Sequence, residues 1–121
     1  MSFERDILQS EVSAWVSETF GQDQASSIPV RALRFMEEAI ELFQACGMPE
    51  SKVHELATFI YAKPPGDFTQ ELGGTGTTLL ALAAAAQVSA SKAEWEEFQR
   101  VLSIDPAHFR ARNQSKLDAG F

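Results

Sequence analysis

Glu37, Glu38 and Glu41 are set into one of the most hydrophobic stretches of this 121-residue chain, where a carboxylate is costly unless a cation meets it. At 3.6 residues per turn, Ile28 to Cys46 reads as a helix whose apolar side chains cover roughly two-thirds of its circumference. Arg34, Glu37, Glu38, Glu41 and Gln44 fill the remaining sector. Glu37 and Glu41 stand one turn apart with Glu38 beside them, and like charges so spaced repel by about a few tenths of a kcal/mol even in water. Arg34, four residues before Glu38, neutralises one carboxylate, and the net negative cluster that remains suits a hard divalent cation such as Mg²⁺. A solvated helix face with an Arg34–Glu38 ion pair accounts for the same spacing. The pattern alone leaves both open.

A helix so widely apolar must be covered on several sides, so its acidic stripe is expected to line a groove between helices. The other elements follow from the same periodicity. Phe3 to Phe20 carries apolar residues at helical spacing and stops at Gly21; a polar link, Gln22 to Ser27, leads to Ser27 as N-cap and Pro29 in the first turn of the acidic helix. Gly47 closes that helix. Glu50 to Ala62 gives a shorter helix that Pro64-Pro65-Gly66 must break, and Asp67 caps a further one running to about Gln87. Ser91 with Glu94 forms a capping-box pattern for Ala93 to Leu102, and Asp105-Pro106 starts a last helix that ends before Gly120. No segment alternates as a strand does. The expected fold is all-α: one domain over residues 1–121, with a four-helix-bundle-like core and short additional C-terminal helices.

Composition narrows the partners. Seventeen acids against ten bases give a net charge of −7, and no basic run is present, which argues against a nucleic-acid backbone or an anionic membrane surface. Met1 to Arg5 lacks the basic segment and apolar run of a secretory signal, and the longest apolar run, Leu79 to Ala86, is far too short to cross a bilayer. A lone Cys46 on an apolar helix side fits a core position in a reduced, cytoplasmic setting. His54 and His108 have no metal-ligand spacing to each other or to Cys46, and Trp15, Trp95, Phe98 and Phe109 fit core positions. The helices over 28–46 and 67–87 are too apolar to be covered by one short chain, so a homodimer or a dimer of dimers is expected.

Gly73, Gly74 and Gly76 each cost about 1 kcal/mol relative to alanine in a helix interior. Three in four residues imply that a facing helix or a ligand approaches this backbone closely. Glu71 lies on the same helix, so an acidic pair on the earlier helix and an acid on this one can face each other, as carboxylate metal sites in bundles do.

RALRFMEEAIEL, Arg31 to Leu42, and QELGGTGTTLLALA, Gln70 to Ala83, resemble the two motifs of the MazG-like all-α nucleoside triphosphate pyrophosphohydrolases, a likeness covering roughly residues 28–87. That family carries E-x-x-E on one helix and E-x-x-D on a later one, and the four carboxylates hold Mg²⁺ against a triphosphate. The resemblance implies that Glu38, Glu41 and Glu71 are metal ligands for Mg²⁺ or Mn²⁺, and that Glu37 holds or deprotonates the attacking water. Gly74 stands where the family has its aspartate. Asp67, one turn before Glu71, is a candidate replacement ligand as well as an N-cap, and the Thr75 and Thr78 hydroxyls share its face. Arg34, with Arg110, Arg112 and Lys116 of the basic segment HFRARNQSK, are candidates to contact substrate phosphates. The implied activity is metal-dependent conversion of an NTP or dNTP to NMP and pyrophosphate. The alternatives are a nucleotide-binding or sensing module impaired at Gly74 and a structural helical oligomerisation domain.

Overall fold

The computed structural model describes residues 3–121, and every regular element among them is helical. In chain order these are α1 (Arg5–Phe20), α2 (Gln22–Ala25), α3 (Ile28–Ala45), α4 (Glu50–Tyr61), α5 (Phe68–Ala85), α6 (Ala90–Leu102) and α7 (Pro106–Asp118). The protein is all-α, as its periodicity implies.

The helix ends explain the boundaries. Ser27 Oγ accepts from the Val30 amide at 3.4 Å, Asp67 Oδ2 from Gln70 at 2.9 Å and Asp105 Oδ1 from Ala107 at 2.9 Å, each satisfying an amide that has no partner within its own helix. At the far end of α3, Gly47 takes φ 79° while the Met48 amide reaches back to the Phe43 carbonyl, a Schellman closure. Gly120 closes α7 in the same way, with the Phe121 amide on the Lys116 carbonyl.

Two local expectations are corrected. The polar link contains a one-turn helix, α2, because Ser17 Oγ donates to Gln22 Oε1 and Ser26 Oγ donates to the Gln22 carbonyl, tying both ends of the turn. The start of α6 is capped not by Ser91 but by Ser89, whose Oγ accepts from the Lys92 amide at 3.1 Å, so Ser91 lies inside the first turn.

The chain divides into two compact units, one formed by Met1–Glu38 with Trp95–Phe121 and the other by Ala39–Glu94. In the first, α1 packs on α2 and α7. Leu8 and Phe98 are its buried apolar side chains, and Trp15 meets Phe20 and Phe109 edge-on at 5.6 and 5.2 Å between ring centres, which places Trp15 and Phe109 in packing roles. In the second unit no residue is buried. Tyr61, Phe59 and Leu72 are among its exposed apolar side chains, and Cys46, expected in a core, is exposed too because no neighbouring element covers its side of α3.

Candidate functional site

The first unit holds a polar cluster that draws on three of its helices. Arg34, on α3, donates from Nη1 to Glu37 Oε1 at 3.0 Å, from Nε and Nη2 to Asn113 Oδ1 on α7, and from Nη2 to the Phe121 carbonyl. Lys116, one turn beyond Asn113, meets the second Glu37 oxygen at 2.7 Å. Asn113 Nδ2 then donates to Gln24 Oε1 on α2, so one chain of hydrogen bonds joins α2, α3 and α7. The i,i+4 pair expected between Arg34 and Glu38 does not form. Asn113 and the Phe121 carbonyl hold the guanidinium where its free edge meets Glu37 instead.

Glu37 is therefore a doubly compensated carboxylate. The Lys116 hydrogen bond, outweighing the cost of partial burial and joined by the attraction of Lys116 and Arg34, holds its carboxyl below the usual glutamate range. Arg34 and Lys116, two of the expected phosphate contacts, are engaged in this cluster.

Beside the cluster, wholly within the first unit, lies a cavity of about 230 Å³. Trp15, Phe20 and Phe109 form an aromatic wall; Arg31, Arg34, Arg100, Arg112 and Lys116 bring five cations, against two carboxylates, Glu38 and Glu97. Arg110 does not line it. Arg100 donates from Nε and Nη2 to the two Glu97 oxygens, both at 2.7 Å, which holds the Glu97 carboxyl low and raises the Arg100 guanidinium, Glu38 adding a smaller attraction to the latter. Arg31 differs. Its guanidinium lies 5.6 Å from the Phe20 ring centre, and its Nε and Nη2 are sealed from solvent without a hydrogen-bond acceptor. Burial first, and repulsion from Arg34 second, push its pKa down.

Arg31 and Arg100 were not singled out in the sequence. A usable signal existed for Arg31: with Arg34 and Glu38 it follows the i, i+3, i+7 spacing of one helix face. Arg100 carries no such signal, because only the fold brings α6 beside α3.

The second unit holds the other acids. Glu41 is exposed on α3. On α5 the Glu71 side chain folds back toward the Pro-Pro-Gly turn, so that a Cβ at Gly66 would lie 2.6 Å from Glu71 Oε1. Asp67 uses one carboxylate oxygen to cap α5, and Thr75 and Thr78 donate to the Glu71 and Thr75 carbonyls within the helix. His54 pairs with Glu50 on the surface of α4. Glu38, Glu41 and Glu71 enter no ion pair among the described residues. Among those residues no three histidine, cysteine, aspartate or glutamate side chains gather as a cation site. Among the described residues no helix is long and apolar enough to cross a membrane.

Comparison of the chain with protein-family models, with curated proteins and with solved structures gives no match.

Proposed function

We propose that the protein is a divalent-metal-dependent nucleoside triphosphate pyrophosphohydrolase that works as a homo-oligomer. One observation carries this proposal: the acids are divided. Glu37 is neutralised from two sides, whereas Glu38, Glu41 and Glu71, at the positions that the family resemblance gives to metal ligands, enter no ion pair among the described residues, Glu38 feeling only a longer-range attraction to Arg100. Unpaired carboxylates are the donor set that Mg²⁺ or Mn²⁺ selects. Such an ion supplies charge screening of the triphosphate and polarisation of the α–β anhydride. Glu37, kept ionised by Lys116 and Arg34, is an acceptor suited to holding a water and a weak base for deprotonating it. The products are a nucleoside monophosphate and pyrophosphate.

Two features support a second copy of the chain as partner. Apolar side chains of the second unit such as Phe59, Leu72 and Tyr61 are more than half exposed, a surface that a partner can cover. In addition, a Cβ built on Gly73, Gly74 or Gly76 meets nothing within 4 Å, so this chain does not itself supply the close approach that three helical glycines imply. A second copy laid on α5 supplies it and can bring further carboxylates to the site.

Incubation of the protein with a panel of NTPs and dNTPs and Mn²⁺, with released pyrophosphate as readout, tests the activity. Turnover that Glu38→Gln lowers by at least about 100-fold is expected. A metal-saturated panel without turnover overturns it. Gly74, in place of the family's aspartate, favours one second reading, a nucleotide-sensing module. Metal-dependent nucleotide binding in calorimetry without product would select that version.

A further inference from the structure

Arg31 presents a charge that the chain does not balance. Two of its guanidinium nitrogens are sealed from water with no acceptor, a second cation stands beside it, and it lines a cavity in which cations outnumber carboxylates five to two, in a chain whose net charge is −7. Three of the cavity's other cations have partners, Arg34 and Lys116 sharing Glu37 and Arg100 pairing with Glu97, and Glu38 is the one further carboxylate of the lining. Arg31 and Arg112 enter no ion pair among the described residues. A partly buried guanidinium with two unsatisfied nitrogens is costly, and an anion brought beside it offsets part of that cost.

We propose that this cavity is an oxyanion subsite for phosphoryl groups, one that works without metal, in which Arg31 and Arg112 supply the uncompensated positive charge. Several cations around one hollow suit a multiply charged anion, and planar guanidinium forks match phosphoryl oxygens. The volume, about 230 Å³, is below the roughly 300 Å³ at which sites for whole small molecules begin, so the cavity takes the polyphosphate portion of a ligand and leaves the remainder outside. That this ligand is the substrate's own phosphate chain rests on the pyrophosphohydrolase proposal; the binding of the anion does not.

The test is calorimetric titration of the full chain with inorganic pyrophosphate in EDTA. Saturable binding is expected, with Arg31→Met and Arg112→Met each weakening it at least tenfold and Lys52→Met, which removes a surface cation that is not part of the cavity lining, leaving it within twofold. Arg112 is exposed, so its replacement keeps the test decisive even if Arg31→Met disturbs folding. Absence of binding at millimolar pyrophosphate overturns the subsite, as does binding that neither arginine substitution weakens. Loss of the enzyme proposal is read separately, from the Mn²⁺ turnover assay on the unaltered protein.

Discussion

At the scale of single residues, Glu37 shows how position decides the work of a carboxylate. Three glutamates within five positions look alike in the sequence, yet one is clamped between Lys116 and Arg34 while its neighbours are unpaired. Its carboxyl ionises at lower pH in the fold than in the unfolded chain, where about 4.3 is normal. As pH falls, the unfolded chain therefore takes up the proton first, and the contribution of Glu37 to stability, full above about pH 5, is lost as pH drops through the folded value. Glu37→Gln is expected to cost about 1 kcal/mol at neutral pH in urea unfolding. The gap to the unaltered protein should narrow toward pH 3.5, and a gap independent of pH would show that the clamp contributes through shape alone. Gly74 permits the complementary test. A Cβ there meets no atom of this chain within 4 Å, so Gly74→Asp restores the acid of the family pattern without a Cβ clash inside the chain; turnover should rise several-fold, and unchanged turnover would mean that no fourth carboxylate from this helix is needed.

The helices themselves were largely readable from the sequence, because their signals are local. Proline, glycine and capping residues sit within one turn of the ends they set, as Ser27, Asp67 and Gly47 do. The Ser89 cap was missed since two serines two positions apart offer the same chemistry, and the backbone chooses between them. The candidate site was less legible. Charge type and helical spacing located the α3 acids, but the partnership of Arg34 with Glu37 depends on Asn113 and Lys116, nearly eighty residues away, which no periodicity connects to α3. The glycines of α5 carry their own prediction. In a solvent-facing helix Gly73→Ala with Gly76→Ala would raise helix stability by about 1 kcal/mol per site. If a second copy packs there, the added methyls keep the backbones apart, and sedimentation should show the double variant dissociating at a concentration at least tenfold higher than the unaltered protein.

At the level of the whole molecule the imbalance is one of surface. Thirteen kilodaltons of folded chain should not leave apolar residues such as Phe59, Leu72 and Tyr61 more than half exposed. Light scattering at micromolar concentration is expected to give at least twice the chain mass, and Phe59→Glu to lower it together with the melting temperature. A monomer of full thermal stability would remove the oligomer from the proposal. Such assembly makes stability concentration-dependent, so melting points compare fairly only at one protein concentration.

Helices α3, from Ile28 to Ala45, and α6, from Ala90 to Leu102, run unbroken, while the boundaries between the two units fall after Glu38 and after Glu94. Any attempt to express the units as separate fragments would cut both hydrogen-bonded rods and leave about sixteen dangling backbone groups at the new ends. Dissection by truncation is thus a poor route to assigning roles here, and point substitution the sound one.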